Sequence, residues 1–197
     1  MADLNLVAEN KFLLMFTPKA ANSAMKTAIR EWAGGSTHPD KLHGGWKRVP
    51  LEEIPFSPLF KVACVRNPYD RLVSCWKQKL WEGGKSSITD TKGFYAKMPF
   101  DEFIDRVCEL PFEEHNIHFR PMHLHIPCWD YLIKFETLEQ DWENMMKWFG
   151  LPKLKLINSS THRPWREYYS IQTALKVAEK FAKDLEMFEY GDSGVKK

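Results

Sequence analysis

The sequence predicts an α/β fold: a single P-loop-like domain over residues 1–197, with a central, mainly parallel sheet flanked by helices. Three observations carry this reading. Phe60-Lys61-Val62-Ala63-Cys64-Val65 is a short, nearly continuous apolar run, as expected of a strand covered on both faces. It turns at Asn67-Pro68 into a stripe of Tyr69, Leu72, Val73, Trp76 and Leu80 at helical spacing. The same order of strand, loop and helix occurs earlier. There Phe12-Leu13-Leu14-Met15-Phe16 leads through Thr17-Pro18-Lys19-Ala20-Ala21-Asn22-Ser23 to a helix face of Met25, Ala28, Ile29 and Trp32. Strands alternating with helices make a parallel sheet.

The remaining elements follow in order. Asn67 is a good N-cap, and Pro68 takes the first helical position, where a missing N–H costs nothing. Gly34-Gly35-Ser36-Thr37-His38-Pro39 is a turn-rich connection, and residues 42–49 include a short strand carrying His43. Residues 50–58 lead into the Phe60 strand. Residues 81–99, rich in Gly, Ser, Thr and Lys, read as a mobile surface loop. A short helix spans 100–110, and Asp130-Tyr131-Leu132-Ile133-Lys134-Phe135 is another strand. Thr137-Leu138-Glu139-Gln140 has the letters of a capping box. The helix it opens buries Leu138, Trp142, Met145, Met146 and Phe149, and Gly150 and Pro152 stop it. A last helix after Ser170 carries Ile171, Leu175, Ala178, Phe181, Ala182 and Leu185 on one side.

Composition narrows the function. A hydrophobic content of 44% with eight Trp and thirteen Phe describes a folded globule of one domain with a substantial core. A formal net charge of +2 makes no case for nucleic acid or an anionic membrane as partner, so positive charge must matter locally. No apolar run reaches the length of a membrane span, and Met1-Ala2-Asp3-Leu4-Asn5-Leu6 lacks the pattern of a signal peptide. Cys64, Cys75, Cys108 and Cys128 show no CxxC spacing, and Cys64 falls in a buried strand, so a reduced, cytoplasmic chain is expected.

The chemistry concentrates at two loops. Arg66 ends a strand beside a helix N-terminus, with Arg71 and Ser74 in the first two turns, which is a place to hold a phosphate. Lys19 lies in the earlier loop, which has a P-loop layout without the glycines and Lys-Ser/Thr pair of a Walker A motif. Ligands bind beyond the carboxyl ends of the strands in such sheets, and both loops fall there. Together they suggest one ligand with two separated phosphate-like groups. His123-Leu124-His125, with Cys128, raises the question of a metal, since alternate strand residues share a face. No second pair stands at zinc-like spacing, so a structural or substrate-lining role is favoured and no metal is expected.

At this point the motifs acquire a family. The Thr17-to-Ser23 loop resembles the 5′-phosphosulfate loop of sulfotransferases that use 3′-phosphoadenosine 5′-phosphosulfate (PAPS). Val65-Arg66-Asn67-Pro68-Tyr69-Asp70-Arg71-Leu72-Val73-Ser74 resembles their 3′-phosphate motif. Likeness continues through His118-Phe119-Arg120-Pro121, Ile133-Lys134-Phe135-Glu136-Thr137-Leu138-Glu139, Asn158-Ser159-Ser160 with Tyr168-Tyr169, and Asp184-Leu185-Glu186-Met187-Phe188. In order and extent the chain resembles the Golgi-type carbohydrate sulfotransferase family. It departs at Ala21, where many members have Gly. If that position is left-handed, alanine costs about 1–2 kcal/mol. It also lacks the membrane anchor of the animal members, so a soluble, microbial enzyme is the expectation.

The resemblance implies roles. Lys19 contacts the 5′-phosphosulfate and neutralises the leaving oxygen. Backbone N–H groups of Ala20, Ala21, Asn22, Ser23 and Ala24, with the Ser23 and Asn22 side chains, cradle its oxygens. Arg66 and Ser74 hold the 3′-phosphate, whereas Arg71 is assigned to structure. Arg163 either closes over the nucleotide or is a solvated loop arginine. His43 is the first candidate for the base, with His118 and Glu136 behind it. The implied reaction moves a sulfuryl group from PAPS to a hydroxyl, on a carbohydrate, without a metal. A nucleotide-dependent phosphotransferase on a similar scaffold and a non-catalytic nucleotide-binding protein are the alternatives. Trp46, Trp81 and Trp165 either stack on sugar rings or pack in the core.

Overall fold

The computed structural model describes residues 4–35, 44–83, 88–89, 93–155 and 162–191. The chain forms two compact units, Met1–Arg66 with Leu124–Ser159, and Asn67–His123 with Ser160–Lys197.

The first unit holds the sheet, in the order β1 (Asn5–Ala8), β2 (Phe12–Phe16), β3 (Phe60–Val65), β4 (Tyr131–Lys134). β2, β3 and β4 run parallel, and β1 pairs antiparallel with β2. The expected α/β architecture with a mainly parallel sheet is therefore present. All five residues of β2 are buried, which explains why its sequence is apolar without alternation. Helices α1 (Asn22–Trp32) and α4 (Leu138–Phe149) share a core with the sheet. Met25, Ala28 and Ile29 of the first helix, and Leu138, Trp142 and Met145 of the second, meet Leu6, Leu14, Val62, Cys64 and Ile133. Trp142 Nε1 donates to Pro152 O at 2.9 Å, so the segment past Gly150 is tied to the helix it leaves.

The second unit is helical: α2 (Pro68–Trp76), α3 (Phe100–Glu109), α5 (Ile171–Lys180) and α6 (Ala182–Met187). Its core joins Tyr69, Leu72, Val73 and Trp76 to Phe103, Ile104, Val107, Phe119, Ala174, Val177 and Phe181. Asn67 caps α2 as its sequence demands, its side chain accepting from Tyr69 N at 3.0 Å. Asp184 is fully buried on α6, and its carboxylate accepts from the backbone N–H groups of Met122 and His123 at 2.7 and 2.9 Å. A charge so buried is tolerated because hydrogen bonds surround it.

Several expectations need correction. Strand β1 went unread because Asn5-Leu6-Val7-Ala8 has no period-2 signal: all four residues are buried. Its hairpin turns on Glu9 and Asn10, both at positive φ, and neither is a glycine. Residues 44–49 form no strand. Instead Asn5 exchanges two 2.9 Å hydrogen bonds with the backbone of Val49. The surface-loop reading of 81–99 misses Ile88, Phe94 and Met98, which are buried in the second core. Thr137 makes no capping box; its hydroxyl donates to the Asp141 carboxylate at 2.7 Å. The capping box occurs at Ser170 and Thr173 instead. The helix after Ser170 breaks at Phe181, and its buried face is Thr173, Ala174 and Val177, leaving Ile171 and Leu175 exposed.

Candidate functional site

The Lys19 loop begins as a turn of type II form. Pro18 stands at its second position, Lys19 at its third has φ 76°, and Ala20 N donates back to Thr17 O at 3.1 Å. That third position ordinarily takes glycine. Two residues later Ala21 caps α1 with φ 52° and ψ 22°, also left-handed. The alanine at a glycine position therefore does carry its strain, about 1–2 kcal/mol, and Lys19 carries a similar load.

Strand β3 holds this turn in place. Arg66 Nη1 donates to Lys19 O at 2.8 Å, and Cys64 Sγ donates to Ala20 O at 3.4 Å. Residues 64 and 66 share a face of the strand by its period of two, so neighbouring carbonyls of the turn are gripped by alternate residues. Arg66 is 5% exposed and lies 4.0 Å over the Phe135 ring. Burial, with the Glu136 and Asp141 carboxylates beyond it, pushes the Cys64 thiol far up, so it stays protonated and can donate. Thr17 is fully buried, and its hydroxyl lies 3.4 Å from His125 Nε2.

The helix that follows starts open. No side chain caps α1, and no acidic residue occupies its first turn. Asn22 and Ser23 are half-buried there, and Ala24 is buried. Asn22 Oδ1 is buried with no hydrogen-bond partner among the described residues. An uncapped N-terminus beside a lysine suits an anion.

Other expected site residues are placed as follows. Lys19 and Arg66 are brought together. Ser74, 1% exposed on α2, and Arg163 belong to the second unit. Arg163 is exposed, pairs with Glu167 at 3.3 Å and lies 5.4 Å from the Tyr168 ring centroid. Arg71 is buried and donates to Ile117 O at 3.4 Å. His43 and the Asn158-Ser159-Ser160 motif lie outside the described residues. His118 Nδ1 meets Asn116 Oδ1 at 2.7 Å. His123 and His125 do not alternate along a strand. His123 follows Met122 in a 3₁₀ turn and pairs with Asp184 at 2.6 Å, and His125 serves Thr17. Among the described residues no cluster of His, Cys, Asp and Glu is arranged to hold a metal ion. Trp81 stacks on Trp76 and Trp165 on Tyr69, both as packing, whereas Trp46 lies under the Arg30 guanidinium.

Sequence reasoning missed three supports of this turn: Cys64, Phe135 and the Thr17–His125 pair. Only Cys64 left a signal, two residues before Arg66 on the same strand face. Among the described residues no helix is long and apolar enough to cross a membrane. No curated protein and no solved structure matches the chain. A sulfotransferase family model matches residues 3–191, across both units. That match covers nearly the whole chain, and the chain belongs to the sulfotransferase family.

Proposed function

We propose that residues 1–197 act as one sulfotransferase domain that moves a sulfuryl group from PAPS to a hydroxyl of a carbohydrate. The observation that carries this reading is the Lys19 turn, strained, gripped from β3 and set on an uncapped helix. In the reaction the acceptor oxygen bonds to sulfur as the bridging S–O bond breaks. The electron pair stays with the 5′-phosphate of 3′-phosphoadenosine 5′-phosphate, and the acceptor proton passes to a base. Lys19 neutralises the leaving oxygen, and the N–H groups from Ala20 to Ala24 orient the transferring group. Arg66, which grips Lys19 O, is the guanidinium that the sequence motif assigns to the 3′-phosphate. The sequence motif adds Ser74 and Arg163 as further contacts to the nucleotide and His43 as the base, with His118 and Glu136 as substitutes. A reducing, cytoplasmic setting suits the four cysteines, none of which forms a disulfide.

Calorimetry tests the donor. Tight binding of 3′-phosphoadenosine 5′-phosphate without magnesium is expected, and preference for ATP with magnesium sinks the reading. A screen of saccharide acceptors with labelled PAPS then names the acceptor, and near-normal turnover by His43→Ala moves the base elsewhere.

A further inference from the structure

The ligand end of the sheet carries more positive charge than the two motifs use. Lys26 stands on α1, three residues past Ser23 and four past Asn22, so the three share a helix face. Helical side chains lean toward the helix N-terminus, and this one does: its ammonium sits 3.7 Å from the centroid of the Phe16 ring. Phe16 is the last residue of β2, directly before Thr17. The ammonium is thus held against the residue that leads into the Lys19 turn, and Lys26 is only 4% exposed.

Arg48 comes to the same end. Val7 N donates to Lys47 O, and Asn5 pairs with the backbone of Val49, so residues 47–49 run along β1. Asn5 faces Met15, which places Val49 near the carboxyl end of β2 with Arg48 beside it. Arg48 from that segment and Arg30, one turn further along α1, are among the charged groups that act on Lys26. Burial first, then these two cations, push Lys26 down to about 8. A charge kept at such a cost fits a neighbourhood that receives an anion.

We propose that Lys26 is a positioning residue for the donor: its buried ammonium sets the field beneath the Lys19 turn and stabilises the charge the 5′-phosphate gains as the S–O bond breaks. This rests on the sulfuryl-transfer reading. Lys26 gives up no proton and makes no bond in the step. Lys19 meets the leaving oxygen, and Lys26 acts through the turn above it.

Product binding reads this charge without an acceptor. Calorimetry on the intact chain compares 3′-phosphoadenosine 5′-phosphate with adenosine 3′-phosphate, which lacks the 5′ group, between pH 7 and 9.5. In the unaltered protein, affinity for the bisphosphate falls across the titration of Lys26 near pH 8, while the monophosphate is held evenly. Lys26→Met binds the bisphosphate on the order of tenfold more weakly at pH 7, loses the fall near pH 8, and holds the monophosphate as before. Lys26→Arg keeps the bisphosphate affinity and flattens its pH dependence, which covers the case in which the Met variant fails to fold. Equal loss of both nucleotides by Lys26→Met, or an unchanged pH dependence in Lys26→Arg, overturns the proposal. If the unaltered protein binds neither nucleotide, the sulfotransferase reading fails first.

Discussion

The N-termini of α1 and α2 are built to opposite plans. α2 is closed by its own residues: Asn67 accepts from Tyr69 N, Pro68 removes an unpaired donor, and Asp70 brings negative charge to the first turn. α1 has neither a side-chain cap nor an acid in its first turn, and it begins on a strained alanine. A cap is worth about 1 kcal/mol, so α1 forgoes stability that α2 takes. The loss is sensible if donors left open on α1 serve a ligand. On that reading the anion-ready end is the one after Lys19, and the Arg66 motif contributes through side chains.

The largest expected effect comes from breaking the open end at its charge. Lys19→Ala should slow sulfuryl transfer on the order of 10²–10³-fold while weakening product binding much less, read from labelled PAPS and calorimetry. Lys19→Gly removes the same charge but suits φ 76°. It should therefore melt higher than Lys19→Ala with equally poor turnover. Equal melting of the two would show that the turn is not strained. Arg66→Ala is the next break, since it removes both the grip on Lys19 O and a cation. It should cost about 1–3 kcal/mol of stability and weaken the nucleotide, with Arg66→Lys a poor substitute because its single ammonium lacks the planar fork.

Acid should open a closed end in the second unit. His115 Nε2 donates to Val107 O at 3.0 Å and to Leu110 O at 3.3 Å, satisfying carbonyls at the C-terminus of α3. Burial, then the charge of Lys180, push His115 down to about 4. Because the folded-state value is depressed, the unfolded chain takes up a proton first. The contribution is full above about pH 6.5 and is lost as pH falls toward 4. Denaturant midpoints measured across that window should drop, and His115→Gln should make them drop less.

What could be read beforehand depended on whether local sequence determined the geometry. Asn67-Pro68 and Gly150 announce their helix ends by chemistry that acts within three residues, and the structure has both. The strands β2, β3 and β4 were legible for the same reason. Strand β1 was not, because Asn5 and Val7 are buried by partners far along the chain, including Val49. Thr137 misled, its hydroxyl donating to Asp141, four residues on. Ile171 and Leu175 misled because hydrophobicity alone does not fix which stripe of a short helix is covered. At the site, Lys19 and Arg66 were legible as motif letters. The Cys64 grip and the Phe135 platform were not, since each is a contact between distant residues.

The smallest effects sharpen the comparison most, because they should differ in sign. Asn67→Ala removes the cap of α2 and should destabilise by about 1 kcal/mol. Ala21→Gly relieves a left-handed alanine worth about 1–2 kcal/mol, offset by the greater freedom of glycine in the unfolded chain. A net gain of roughly 0.5–1 kcal/mol is expected, with product affinity little changed because the backbone donors keep their positions. Thermal melts of the two variants decide it. If Ala21→Gly also destabilises, the φ of 52° is not a strain the protein tolerates for the sake of the loop. The open end of α1 would then be held by contacts that need the alanine methyl, and its contrast with α2 would be one of packing, with no bearing on an anion.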